Sequence, residues 1–203
     1  MISGSRFLTR HIIVTLLLSV SGIYSSTATE TATAWGIEQL MQNLREVKSA
    51  RGKFVEHKFI TMLDAPLDSS GTLIYTAPER LEKYTLLPKP ETLILDQVKL
   101  TIEYKGQNQL RTLDLQDYPV IWAFVESIRS TLAGDLQTLN HFYQINLEGN
   151  ENQWHLSLKP TESKMQTFVK EIHIGGSRNH IRTIEIIEAE GNRSVMTITE
   201  DTP

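Results

Sequence analysis

The chain has 203 residues, a formal net charge of −4 and no cysteine. That length suffices for one domain with a sizeable core, and the missing thiols exclude disulfides, thiolate metal sites and a lipidated N-terminal cysteine. With no concentrated basic patch, a nucleic-acid partner is excluded as well.

The first residues read as a targeting device. Arg6 and Arg10 supply positive charge, Ile12 to Val20 is nearly all apolar, and Ser, Thr and Ala follow. This is the order of a secretory signal, with cleavage after Ala28 or after Ala34 both fitting. The apolar run is shorter than the roughly 20 residues that span a bilayer. Residues 1–28 are therefore expected to be a signal peptide and 35–203 a single soluble, exported domain held by core packing alone.

A short amphipathic helix comes next, with Ile37, Leu40, Met41, Leu44 and Val47 on one stripe. Gly52 follows, where the chain is expected to turn into its first strand. Short β-prone runs then recur every 8 to 12 residues or so, as in an antiparallel meander bent into a barrel or sandwich. They are Lys53 to Ile60, Ser70 to Tyr75, Arg80 to Leu87, Glu91 to Asp96, Lys99 to Tyr104 and Gln109 to Asp114. Leu73 with Tyr75, Leu93 with Leu95, and Leu100 with Ile102 share one face. Thr72, Thr92, Thr101 and Glu103 occupy the other, so one side of the sheet is apolar and one wetted.

The apolar side needs a cover, and the next segment supplies one. Tyr118, Ile121, Trp122, Val125, Ile128 and Leu132 recur at helical spacing, with Asp117 as N-cap, Pro119 in the first turn and Gly134 just past the end. A further turn of helix is expected from Asp135. Strands resume at Tyr143 to Glu148, Gln153 to Lys159, Thr167 to Ile174, His180 to Glu188 and Arg193 to Thr199, with Gly149-Asn150, Pro160-Thr161, Gly175-Gly176 and Glu190-Gly191-Asn192 as turns. The pattern is α+β, mainly antiparallel β, with about eleven strands and two or three helices.

Chemistry-bearing motifs are scarce. No nucleophile elbow, H-E-x-x-H, P-loop or G-x-G-x-x-G occurs. The histidines are scattered one per element; His173 and His180 could meet across a hairpin, but a strand-surface pair is the better reading and no metal is expected. Glu56 and His57 point to opposite faces of a strand. Asn192-Arg193-Ser194 matches a glycosylation sequon that an ordinary turn also fits. An enzyme is not expected, nor a cofactor.

From about Trp35 onward the chain resembles the LolA-like family of periplasmic carriers. The resemblance rests on Leu44-Arg45-Glu46-Val47 followed by Ala50-Arg51-Gly52-Lys53-Phe54, then Ser70-Gly71-Thr72-Leu73, Tyr75-Thr76-Ala77-Pro78, Arg80-Leu81 and a terminal hairpin around Gly191. Pro66 to Gly71, Ala77 to Lys83, Pro90-Glu91-Thr92-Leu93, Leu132 to Leu136 and Arg193 to Thr197 look like a LolA-related branch encoded beside acyltransferases, acyl carrier proteins and MMPL-type exporters in aryl polyene or related fatty-acyl gene clusters. Two features depart from LolA proper. Its lid-closing arginine before the strand-ending proline is Ala77 here, with Arg80 just past the turn, and its further C-terminal segment is missing after Thr199.

The resemblance implies an unclosed half-barrel covered by helices that carries a lipid or an acyl or aryl-polyene chain toward the outer membrane. Apolar chains would lie against Leu73, Tyr75, Leu81, Leu93, Leu95, Leu100, Ile102, Trp122, Val125, Ile128, Trp154 and Leu156, with Arg80 as a candidate for closing the lid. Implied partners are the lipid or lipidated cargo, an inner-membrane exporter and an outer-membrane acceptor, with a monomeric protein in the periplasm. Two rival readings are an accessory subunit that docks on an MMPL-type exporter without carrying lipid, and a lipoprotein chaperone like LolA itself. An enzyme acting on acyl chains would need a nucleophile that the sequence does not show.

Overall fold

The computed structural model describes residues 35–106 and 109–200; the signal-like segment and its cleavage points lie outside them. Helix α1 (Ile37–Arg45) buries Leu40, Met41 and Leu44, the inner positions of its apolar stripe. Six strands follow: β1 (Ser49–Phe59), β2 (Leu67–Thr76), β3 (Arg80–Leu87), β4 (Glu91–Asp96), β5 (Lys99–Tyr104) and β6 (Gln109–Asp114). A 3-10 turn (Leu115–Asp117) leads into α2 (Pro119–Ala133) and α3 (Leu136–Phe142). The chain then makes β7 (Tyr143–Asn150), β8 (Gln153–Pro160), one-turn α4 (Ser163–Gln166), β9 (Val169–Ser177), β10 (His180–Glu188) and β11 (Arg193–Glu200).

The eleven strands form one sheet in the order β6-β5-β4-β3-β2-β1-β11-β10-β9-β8-β7. Neighbours pair antiparallel throughout, and β6 and β7 are unpaired edges, so the sheet stays open. The first and last strands meet at its centre, where Phe54 lies opposite Ile198. The fold is α+β, mainly antiparallel β: an unclosed half-barrel with four helices among the described residues.

Several local expectations are corrected. Gly52 lies inside β1 rather than at its start, and Thr92 is only 4 % exposed between cross-strand neighbours Tyr84 and Glu103. Gly175-Gly176 is strand, not turn; the turn falls at Arg178, whose φ is 52°. These glycines make room, since a Cβ at Gly176 would lie 2.3 Å from the Trp154 ring and one at Gly175 would lie 2.5 Å from Thr183 Oγ1. Strand β9 starts at Val169 because α4 takes Ser163–Gln166 and the Phe168 amide still bonds Met165 O at 3.0 Å.

Around α2 the caps differ at one end only. Asp114, not Asp117, supplies an N-terminal cap, accepting from the Gln116 amide of the 3-10 turn at 3.1 Å, and α2 starts from Tyr118 without a side-chain cap. Its C-terminal end is as its sequence requires: Gly134 takes a left-handed φ of 64°. Asp135 then caps α3, its carboxylate accepting from the Thr138 amide at 3.0 Å and hydroxyl at 2.6 Å.

The core is lopsided. Trp154, Leu156 and Leu158 of β8 with Ile172 and Ile174 of β9 pack solidly against Leu40, Met41, Leu44, Leu139, Tyr143 and Met165. Tyr143 donates to Ala123 O at 3.1 Å, tying β7 to α2, and burial pushes its hydroxyl up to about 12.

Candidate functional site

On the other half of the concave face the side chains do not meet a packed layer. They border a cavity of about 870 Å³, within the range of small-ligand sites. Its floor is built by strand alternation: Leu73 and Tyr75 of β2, Leu81 and Lys83 of β3, Leu93 and Leu95 of β4, and Leu100 of β5. The register sets these residues side by side, Leu73 opposite Lys83, Lys83 opposite Leu93, and Leu95 opposite Leu100. Ile184 and Ile186 of β10 and Met196 and Ile198 of β11 continue the floor past the central seam.

Helix α2 forms the roof with Phe124, Val125, Ile128 and Leu132, while α1 adds Leu44. The face by which α2 is buried is a different one. Ala123, Glu126, Ser127, Ser130 and Thr131 are its buried residues, and the hydroxyls bond back into the helix, Ser127 to Phe124 O at 2.6 Å and Thr131 to Ser127 O at 2.7 Å. Apart from Glu126 these are small residues that let the helix sit close, and part of its apolar stripe faces the cavity. The start of that stripe is outside altogether, since Tyr118 and Ile121 are exposed.

Of the twelve residues singled out from sequence, Leu73, Tyr75, Leu81, Leu93, Leu95, Leu100, Val125 and Ile128 line this cavity. Trp154 and Leu156 do not; both are 0 % exposed in the solid half of the core, and the Trp154 ring nitrogen donates to Arg178 O at 2.9 Å. Ile102 shares the concave face opposite Leu93 but is not part of the cavity wall, nor is Trp122, which lies beside Arg129 on α2.

Arg80 is engaged within the sheet, 2.7 Å from Glu82 and 2.7 Å from Asp96. The arginine that ties the helical cover to the β2–β3 turn is Arg129 of α2, 3.5 Å from Glu79 and 2.7 Å from the buried Glu126. Tyr75 is buried beneath this end with no hydrogen-bond partner for its hydroxyl among the described residues. Burial raises its pKa and Arg129 opposes the rise.

The cavity also has a polar corner that sequence reasoning passed over. Glu56 of β1 accepts from Lys83 Nζ at 2.5 Å, Ser194 Oγ at 2.6 Å and Ser69 Oγ at 3.2 Å. Burial pushes its carboxyl upward, but the Lys83 charge and these three hydrogen bonds outweigh burial and hold it below the usual carboxylate range. Lys83 reaches Glu56 across β2 where Gly71 offers no side chain, and its ammonium lies 4.8 Å from the centre of the Phe54 ring. The available signal was alternation: Glu56, Leu73 and Lys83 fall on one face once the register is known.

His57 and His180 pair with carboxylates, the second pair among the residues that line the cavity. His57 contacts Asp68 at 2.7 Å and His180 contacts Glu200 at 2.5 Å, while His173 lies opposite Glu185 and does not meet His180. Asn192 is held in its turn, accepting from the Thr61 amide at 3.0 Å and donating to Glu188 at 2.9 Å. No group of three metal-ligating side chains occurs among the described residues, and none of their helices is long and apolar enough to cross a membrane.

No curated protein matches the chain. Among solved structures it is similar to a LolA superfamily protein from Nitrosomonas europaea, at 10 % identity over 82 % of this chain and 93 % of that one, with a TM-score of 0.45. It is also similar to a putative outer membrane lipoprotein-sorting protein domain from Vibrio parahaemolyticus, at 9 % identity over 82 % and 91 %, TM-score 0.42. A third likeness is to the Pseudomonas aeruginosa MucA/MucB complex, at 14 % identity over 82 % of this chain and 56 % of that one, TM-score 0.43. The family model described as outer membrane lipoprotein carrier protein LolA-like matches residues 28–199, and the chain belongs to that family.

Proposed function

We propose that the protein is a periplasmic carrier that takes a lipid or acyl chain into the cavity beneath α2 and hands it on toward the outer membrane. Membership of the LolA-like carrier family supports a lipid- or lipoprotein-binding role. The observation that carries the reading is the cavity itself: about 870 Å³, walled by leucines and isoleucines from eight elements, beside a core that is otherwise closely packed. Natural cores leave few voids larger than a water molecule, so an apolar space of this size reads as a binding site rather than as a packing fault.

Each buried methylene contributes about 0.8 kcal/mol before the costs of ordering, so a long chain would leave for water slowly. Transfer would therefore run by handoff to a protein or a membrane. The test is native mass spectrometry of protein purified gently from its own periplasm, with solvent extraction of the same sample. A bound lipid released on denaturation is the expected result. Leu93→Glu places a charge in the cavity wall and should yield a folded protein that retains none. A folded Leu93→Glu protein with unchanged lipid content would remove the cavity from the mechanism.

A further inference from the structure

A cavity meant only for hydrocarbon has no use for an ion pair in its wall, because withdrawing two charges from water costs more than apolar side chains of the same size. Glu56 and Lys83 nevertheless both line it. Their side chains are 17 % and 24 % exposed. Their hydrogen-bonding capacities are unequally used. The Glu56 carboxylate already accepts three hydrogen bonds, from Lys83, Ser69 and Ser194. Lys83 has three N–H groups, and its hydrogen bond to Glu56 occupies one. The unspent capacity of the corner is that of a cationic donor, and Glu56 fixes where it stands. A ligand ammonium would meet a carboxylate with three of its roughly four acceptor sites taken and a like charge beside it. A ligand oxyanion would share the Lys83 ammonium with Glu56.

We propose that Lys83, positioned by Glu56, reads the headgroup of the cargo, and that the cavity selects an amphiphile whose apolar chain ends in a carboxylate or phosphate. This rests on the carrier reading above and narrows it to a ligand class. Tyr75, diagonal to Lys83 across the β2–β3 pair and without a hydroxyl partner among the described residues, is a further polar group in the same wall. Its hydroxyl is a donor for which an oxygen-bearing headgroup offers an acceptor.

The test is delipidated protein titrated with hexadecanoic acid, hexadecyl phosphate, hexadecanol and hexadecylamine, which share one chain length, below their aggregation limits and at mildly alkaline pH. Affinity is read by displacement of a neutral fluorescent probe. The acid, the phosphate or both should bind at least about tenfold more tightly than the alcohol and the amine, and comparison of the two anions identifies which headgroup chemistry fits. In Lys83→Met that preference should vanish while hexadecanol binding holds. Because Lys83→Met leaves Glu56 unpaired, the Lys83→Met/Glu56→Gln double variant is measured beside it and should give the same loss. Equal binding of all four ligands, preference for the amine, or an anion preference that survives in the double variant would overturn headgroup selection and leave the carrier reading standing. Binding of none of them would sink the carrier reading and this inference together.

Discussion

A buried hydroxyl without a partner costs about 1–3 kcal/mol, and Tyr75 carries one, among the described residues, in the cavity wall. Tyr75→Phe should therefore leave the ligand-free protein as stable or more so, by up to about 1 kcal/mol, a rise of a few degrees in Tm by differential scanning calorimetry. A loss of stability would mean that the hydroxyl has a partner when the cavity is empty. Glu56 gives the opposite kind of test. Its folded pKa is depressed, so its stabilising effect is present above the ordinary glutamate value of 4.5 and is lost as pH falls through the lower folded value. Denaturation of the wild type and Glu56→Gln should differ most near neutrality and converge as the pH drops below about 4.5. Which face Leu73, Tyr75, Leu93 and Leu95 take was legible from alternation alone. That Glu56 joins them was not, because its hydrogen bonds to Lys83 and Ser194 depend on strands paired from far along the chain. Trp154 and Leu156 were misplaced for a related reason: alternation gives the face of a strand but not which stretch of that face the helices fill.

At the scale of elements, α2 is the piece whose role differs most from its sequence pattern. An apolar stripe at helical spacing ordinarily marks the side packed on the core. Here the packed side is Ala123, Ser127, Ser130 and Thr131, short residues that let the helix sit close, and the stripe looks into the cavity through Val125, Ile128 and Leu132. No window of the sequence distinguishes those arrangements, since the cavity exists only when α1 and the sheet are in place. On the cavity side the roof has a polar tie in the Arg129 contact to Glu79 of the β2–β3 turn. Arg129→Gln should raise hydrogen exchange across α2 while leaving β8 and β9 protected; unchanged exchange would mean that the roof does not depend on that contact. The other end of α2 is pinned harder. Arg45 donates to Gly134 O at 2.8 Å, and a Cβ at Gly134 would fall 2.0 Å from Met41 O at a φ few side chains adopt. Gly134→Ala should cost about 2 kcal/mol or more, by chemical denaturation, through strain and displacement of α1.

At the largest scale, the domain formed by the described residues is half solid and half hollow. Strands β8 and β9 are sealed by α1, α3 and α4, whereas β2 to β5 are roofed over a void. Filling the void should raise exchange protection in β2 to β5 and in α2 and leave β8 and β9 as they were; protection gained evenly over the sheet would contradict this division. The meander, the helical interruption and the return to strands were readable because turns and periodicity are local. The division into two halves was not, since it is a property of how the cover sits.

The strand order also closes a circuit. The first and last strands, β1 and β11, are hydrogen-bonded at the middle of the sheet, while its two free edges, β6 and β7, are the strands that the segment containing α2 and α3 connects. The helices are thus strung from one rim of an open bow to the other. Bending the sheet outward pulls both ends of the string, and flattening of the curve draws the roof toward the floor. A bulkier cargo must either shift the string sideways or unwind part of it, so the span between the rims and the height of the roof are one variable and not two.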